Sequence, residues 1–293
     1  MVKRYYTVLI IFILLISCYK TNIKYPFKYH SSEDFFNGSS EFFDQIPGHV
    51  NLHYLDENIK PRSGTVSHHL LVSPIINSWF KELKKHNNDI KNFFIISPKH
   101  TDLGYGIISL SSLDWRITGN KSVKANKKYI NKILNRLNIK EDRYAFHKEH
   151  GIGTLIPFIN YYYPDARIIP IVMDEFNKQI SICGKLSGII SGLMEKDDKS
   201  FLIISVDFSH RVNLSKTKKR DAITRDALNS LDPDRVNEIY SDNNVSLFTL
   251  FFTCNNLNLD ANHIFCNIDS QSYIRKNLDD ITSYFFTFQY KKY

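Results

Sequence analysis

Short runs of consecutive apolar residues alternate with longer segments whose apolar residues recur at helical spacing. One run, residues 93–96, ends at Ser97-Pro98, and a second run covers residues 201–204. Apolar runs of this length between turn signals are typical of strands that a parallel sheet buries on both faces. Ser73-Pro74 begins a helical pattern, as expected of an N-cap followed by proline in the first turn. Strands that alternate with helices predict an α/β fold with a mixed, largely parallel sheet.

The same pattern predicts further elements on either side of these runs. We expect a helix that begins at Glu149 and is kinked by Pro157, because proline removes a hydrogen bond inside a helix. Other helices are expected at 123–137, 178–194, 216–231 and 245–253. Further strands are expected at 107–110, 166–172, 263–268 and 283–290.

The N-terminus has a short basic start followed by an apolar segment. Lys3-Arg4 precedes the wholly apolar residues 8–16, which are too few for a membrane span of about 20 residues. Leu15-Ile16-Ser17-Cys18 resembles a bacterial lipobox, which implies cleavage before Cys18 and lipidation of that cysteine. Acyl chains would then anchor an exported domain to a bacterial membrane. Residues 1–17 are thus expected to be a lipoprotein signal peptide, 18–60 a tether and surface-lying segment, and 61–293 the folded domain; an uncleaved signal anchor is the alternative.

Composition and charge narrow the classes of partner. The chain has 293 residues, 43% hydrophobic and 23% charged, which is ordinary for a globular protein. The net charge of +8 is spread along the chain, and no basic face is sustained, so we expect no nucleic-acid partner. Cleavage before Cys18 leaves Cys183, Cys254 and Cys266, too few for a disulfide framework. A Cys254–Cys266 bridge and a free cysteine that acts as a ligand both stay open.

Histidines follow several of the predicted strands. His100 comes after the first apolar run, His210 comes after the second, and His68-His69 follows residues 63–67. Ligands of open α/β sheets bind beyond the carboxyl ends of the strands, so these side chains are expected to share one site. Histidine, thiolate and carboxylate are common metal ligands, although each residue singly also fits an ordinary structural role. The candidates are His68, His69, His100, Glu149, His150, Asp207, His210 and Cys254.

A set of motifs resembles the Memo-like family, also called AmmeMemoRadiSam system protein B. The resemblance covers residues 61–290. It implies a three-layer α/β/α sandwich similar to class III extradiol dioxygenases, with a central sheet and helices on both faces. The motifs are Ser67-His68-His69-Leu70, Ser97-Pro98-Lys99-His100, Glu149-His150-Gly151-Ile152-Gly153, Leu155-Ile156-Pro157-Phe158, Ser205-Val206-Asp207-Phe208-Ser209-His210, and Cys254.

The resemblance also implies roles for single residues. His68, His100 and Cys254 would be the metal ligands, with His69 as the alternative to His68. His210 would act as acid and base, and Asp207 and His150 would line the same pocket. The chain departs from the family at Ser97, where glycine is usual, at Lys99, at Gly151, where serine is usual, and at Gly153. A His/His/Cys set suits copper or iron, and zinc is compatible.

Three functions follow as hypotheses. The first is a membrane-anchored metal-binding or redox protein of the Memo type. The second is a dioxygenase-like oxidoreductase that acts on a small molecule through His210. The third is a metal-free binding scaffold. The sequence indicates a small-molecule substrate for the second hypothesis and leaves any protein partner unspecified.

Overall fold

The computed structural model describes residues 28–32, 46–175 and 180–292. Within these ranges ten strands form one sheet. The strands are β1 (His30–Ser31), β2 (Ser63–Val66), β3 (Asn92–Pro98), β4 (Ile108–Leu110), β5 (Trp115–Arg116), β6 (Ser122–Ala125), β7 (Arg167–Met173), β8 (Ser200–Ser205), β9 (Ala261–Asp269) and β10 (Ser283–Tyr290). Their order in the sheet is β1-β5-β6-β7-β3-β8-β2-β10-β9, and β4 pairs with β7.

The central strands of the sheet are parallel, and the strands at the edge formed by β10 and β9 are antiparallel. Strands β6, β7, β3, β8 and β2 run parallel to one another. Strand β10 pairs antiparallel with both β2 and β9. Every residue of β3 and β8 is buried, which explains why both read as continuous apolar runs. The predicted mixed, largely parallel sheet is confirmed.

Helices cover both faces of the sheet. Alternate residues of β3 show this directly, because Phe93 and Ile95 pack in one apolar cluster and Phe94 and Ile96 in another. The three-layer α/β/α sandwich is therefore confirmed. The helices are α1 (Ser73–His86), α2 (Lys127–Leu137), α3 (His150–Gly153), α4 (Ile156–Tyr162), α5 (Ile180–Met194), α6 (Leu214–Ser230), α7 (Asn244–Asn256) and α8 (Ser270–Ile274).

Two predicted helices are divided in the structure. The segment 123–137 begins as strand β6, which pairs with β7, and becomes helix α2 only after Asn126. The Asn126 side chain accepts a hydrogen bond from the Tyr129 N–H and caps the helix. The helix expected from Glu149 is two short helices, α3 and α4. Pro157 lies in the first turn of α4, where proline is tolerated, so it starts a helix instead of kinking one.

The segment before β2 lies against the domain. The His53 N–H donates to the Phe265 carbonyl oxygen, and the Leu55 N–H donates to the carboxylate of Glu82 on α1. Residues 1–17 and Cys18, where a signal peptide and lipidation are expected, lie outside the described residues. Among the described helices, none combines the length and the apolar character needed to cross a membrane.

Candidate metal site

Parallel strands bring the predicted histidines to one edge of the sheet. His68 follows β2, His100 follows β3, and His210 follows β8. Together with His150 and Asp207 they line one cavity of about 1000 Å³. The ring centroids of His68 and His100 are 4.8 Å apart, and those of His100 and His150 are 3.8 Å apart. The structure thus brings together five of the residues that the sequence singled out.

A carboxylate that the sequence did not single out lies among these rings. The Oδ2 atom of Asp242 is 3.4 Å from His68 Nε2, 3.9 Å from His100 Nε2 and 3.8 Å from His210 Nε2. Two backbone contacts place it: the Asp242 N–H donates to the Asp207 carbonyl oxygen, and the Asp207 N–H donates to Asp242 Oδ1. Asp242 lies just before α7 in a polar stretch, so spacing alone does not distinguish it from a helix-capping residue.

Buried partners fix the tautomer of both candidate ligands. Glu149, which is fully buried, accepts hydrogen bonds from His100 Nδ1 at 2.7 Å and from the His100 N–H at 2.9 Å. The Ser205 hydroxyl donates to the Gly151 carbonyl oxygen, so it accepts at 3.0 Å from His68 Nδ1. Both rings therefore carry a proton on Nδ1, and Nε2 is the nitrogen at which a metal ion would take the place of a proton, as in metal-binding histidines.

The structure separates the roles of His68 and His69. His69 lines the same cavity, but its Nδ1 atom is 2.6 Å from the Tyr284 hydroxyl. The close groups of potential ligand atoms in the described residues are His68, His100 and His150, and His68, Asp207 and Asp242. His68 is thus the residue of the pair that lies in position to bind a metal.

The electrostatics of the cluster favour a bound cation. Burial alone lowers the pKa of His68 and of His100. The carboxylates of Asp207 and Asp242 more than offset this for His68, and Asp242 and Glu149 raise the pKa of His100 to about 9. Burial raises the pKa of Asp242, but contacts with the three histidines bring it well below its usual value. Asp207 is buried and Asp242 partly buried, and carboxylates withdrawn from water in this way are stabilised by a cation, which can be a proton on the imidazoles or a metal.

His150 has the opposite character. Burial, together with the neighbouring His100 and His68, lowers the pKa of His150 to about 4. The ring is therefore neutral at pH 7, because its surroundings disfavour the protonated form.

The expectation that Cys254 joins His68 and His100 as a ligand is wrong for this structure. Its Sγ atom lies 3.9 Å from Ser63 Oγ, at the start of β2, whereas His68 follows the end of that strand. Five residues of extended chain separate these positions by about 16 Å. Burial raises the pKa of the Cys254 thiol to about 12, which disfavours the thiolate that a metal requires. Cys254 and Cys266 are both free, so the bridge between them does not form.

The departures at Ser97 and Gly151 compensate for each other. A Cβ atom at Gly151 would collide with Ser97 Oγ and would lie 3.2 Å from His100 Cε1. The serine at 97 therefore occupies the space that a side chain at 151 would need. The Lys99 ammonium donates to the Gly104 carbonyl oxygen at 3.1 Å, which ties its charge to the following loop.

The fold and this cluster define an α/β protein with a histidine and carboxylate site at the carboxyl edge of a largely parallel sheet. The profile of the Memo-like protein family matches residues 40–255 of the chain. That match covers most of the sequence, and the chain belongs to the Memo-like family.

Individual relatives agree with this assignment. The chain is 30% identical over 157 residues to a MEMO1 family protein of Pyrobaculum aerophilum, covering 53% of this chain and 55% of that one. It is 24% identical over 221 residues to a MEMO1 family protein of Thermotoga petrophila, covering 70% and 78%. The chain thus spans about half the length of the first of these relatives. A solved structure of an uncharacterized Escherichia coli K12 protein has a TM-score of 0.48 and 9% identity, over 76% of this chain and 99% of that one; this likeness supports no inference about function.

Proposed function

We propose that the chain is a Memo-like metal protein in which His68, His100 and Asp242 bind one divalent transition-metal ion. The position of Asp242 Oδ2 between the Nε2 atoms of both histidines carries this proposal. The Nδ1 atoms of the two rings have buried partners, so both Nε2 atoms are left to face the same carboxylate oxygen.

The donor set favours iron(II), and zinc is compatible. Two imidazoles with one carboxylate and open positions are typical of non-haem iron sites. Copper was expected together with iron from a thiolate ligand, and that argument loses its basis when a carboxylate takes the place of Cys254. The buried Nε2 atom of His210 has no hydrogen-bond partner among the described residues, which fits a site made for a ligand near Asp242.

A metal bound there would supply Lewis-acid or redox chemistry. The chain's own residues would do the rest. His150 would line the site as a neutral ring, and His210 would accept and return a proton. The Thr282 hydroxyl lies 3.2 Å from His210 Nδ1 and orients that ring. Asp207 accepts a hydrogen bond from Ser67 Oγ and lies 3.7 Å from His68 Nε2, so it holds His68 in place.

The metal content of the purified protein tests the proposal. The chain is isolated anaerobically, and its metal content is measured by inductively coupled plasma mass spectrometry. We expect it to retain iron or zinc. His100→Ala is expected to lose it. His263→Ala is the matched control, because the Nε2 of that histidine donates to the His53 carbonyl oxygen away from the cavity. Metal-free protein that is folded and takes up no added metal would contradict the proposal and favour a metal-free binding scaffold.

A dioxygenase-like oxidoreductase is the second candidate function. The observation in its favour is the size of the cavity, about 1000 Å³, which leaves room for a small molecule beside the ligands. Oxygen consumption with catechol-like compounds, lost in His210→Ala, would support turnover. An iron-loaded protein that consumes no oxygen with these compounds would leave metal binding or a redox role as the function.

We also propose that the chain is exported and anchored to a membrane through lipidated Cys18. The lipobox-like Leu15-Ile16-Ser17-Cys18 after an apolar segment supports this. Intact mass of the protein from its bacterial host is expected to show a chain that begins at Cys18 with added acyl mass. A Cys18→Ser variant is expected to lose the acyl mass and the membrane fraction. An unmodified chain that still begins at Met1 would contradict the proposal.

A further inference from the structure

The carboxylates in the cavity wall all have partners. Asp242 contacts three histidines, and Asp207 accepts a hydrogen bond from Ser67 Oγ. Glu175 accepts a hydrogen bond from the Val245 N–H at 3.0 Å, at the start of α7. The ion pairs recorded for Asp207 and Asp242 are with histidines of the cluster.

Arg211 adds a positive charge to the same wall. It lines the cavity directly after His210, it is exposed, and within residues 28–32, 46–175 and 180–292 it makes no hydrogen bond or ion pair that the structure records. Arg220 on α6, by contrast, donates to the His210 carbonyl oxygen and stacks on the Tyr240 ring. Arg211 is thus a cation at the cavity wall whose guanidinium is not engaged by any described residue.

The backbone at Arg211 is unusual as well. Its φ is 55°, in the left-handed region that disfavours residues with a Cβ atom. Glycine would adopt this conformation without strain, so a turn alone does not call for arginine. Strained backbone that carries a charged side chain into a cavity is a feature of functional sites.

Resting on the metal site proposed above, we propose that Arg211 binds the carboxylate of a small organic acid in this cavity and so sets the charge class of the substrate. The guanidinium is planar and pairs with a carboxylate through two parallel hydrogen bonds. Lys99, which lines the same cavity, uses one of its three N–H donors on Gly104 and adds a second positive charge. A neutral molecule of the same shape lacks both interactions.

Benzoate and benzamide test this directly, because they share a shape and differ in charge. Their dissociation constants are measured by titration calorimetry for the full chain, Arg211→Gln and Arg211→Lys. The wild type is expected to prefer benzoate. Arg211→Gln is expected to weaken benzoate binding by about tenfold or more and to leave benzamide within about twofold. Arg211→Lys keeps the charge but cannot form two parallel hydrogen bonds with a carboxylate. Its dissociation constant for benzoate is expected to lie between those of the wild type and Arg211→Gln.

Arg275→Gln is the matched control. Arg275 follows α8 with φ of 54°, the same backbone conformation, and does not line the cavity. Its replacement is expected to leave both constants unchanged. A wild type that binds the two compounds equally, or an Arg211→Gln variant that keeps its preference for benzoate, would overturn the proposal. Arg211→Gly with undiminished benzoate binding would show that Arg211 is only a turn residue.

The same titrations are run on zinc-loaded and on chelator-stripped protein. The preference for benzoate that depends on Arg211 is expected in both, since the guanidinium and not the metal supplies it. Protein that binds no zinc but keeps this preference would refute the metal site and leave the inference standing. Protein that binds zinc but shows no preference for benzoate would refute the inference about Arg211 and leave the metal site standing.

Discussion

Glu149→Gln isolates the residue that orients a proposed metal ligand. Its carboxylate is fully buried and accepts hydrogen bonds from His100 Nδ1, from the His100 N–H, and from the Gly151 N–H at 2.8 Å. The amide of glutamine keeps one acceptor oxygen and replaces the second carboxylate oxygen with an NH2 group, which is a donor. At least one N–H then loses its acceptor, and His100 Nδ1 faces a neutral amide in place of a carboxylate, so the ring is held less firmly and its Nε2 is less basic. Loss of such a partner typically costs 10–100-fold in metal affinity, or about 1.4–2.7 kcal/mol.

Competition between the protein and a zinc-binding dye measures the affinity, and zinc avoids oxidation during the titration. Glu82→Gln is the control, because Glu82 is also buried, accepts from the Leu55 N–H at 2.8 Å and lies 3.1 Å from His86 Nε2, outside the cavity. Both variants are expected to lose about 1–3 kcal/mol of stability in urea. Only Glu149→Gln is expected to lose zinc affinity. Equal affinities for wild type and Glu149→Gln would refute the reasoning that Glu149 prepares His100.

Three further predictions concern stability. Burial lowers the pKa of His30 to about 3, so below pH 6.5 the unfolded chain takes up a proton there that the folded chain does not. Between pH 7.5 and pH 5 the wild type is therefore expected to lose about 2 kcal/mol more stability in urea than His30→Gln, because the other titrating groups, such as His150, are common to both proteins. A Cβ atom at Gly64 would lie 2.5 Å from the Thr287 carbonyl oxygen, so Gly64→Ala is expected to cost about 1–3 kcal/mol, whereas Gly184→Ala, with open space around it, is not. Gly151→Ser is expected to be destabilising alone and to be rescued by Ser97→Gly in a double-mutant cycle.

Each of these has a clear contradicting result. A pH dependence that is unchanged in His30→Gln would show that another group titrates. A Gly64→Ala variant as stable as wild type would mean that β2 and β10 can separate without cost. Additive effects of the Gly151→Ser and Ser97→Gly changes would show that the two positions are independent.

The strand pattern could be predicted from the sequence because the central strands are buried on both faces. The apolar run of residues 93–96 forms most of strand β3. The end of this strand places His100 at the carboxyl edge of the sheet, where ligands bind. Strand β6 could not be separated from the helix after it, since only four residues alternate before the amphipathic pattern begins.

The sequence singles out only part of the proposed ligand set, for physical reasons. His68 and His100 are positioned by the strands that precede them, and the pattern of those strands is visible in the sequence. Asp242 is positioned by backbone hydrogen bonds between two loops, which leave no periodic signal. Cys254 was expected as a ligand from a resemblance, but it lies on helix α7 and is buried in the apolar core. A buried cysteine of this kind behaves as a small apolar residue.

The identity of the third ligand is the claim on which the account depends most, and one paired measurement tests it. Wild type, Asp242→Ala and Cys254→Ala are loaded anaerobically with iron(II), desalted and measured for iron and protein. We expect the wild type and Cys254→Ala to retain one iron per chain and Asp242→Ala to retain little. Iron retained by Asp242→Ala and lost by a folded Cys254→Ala would contradict the account.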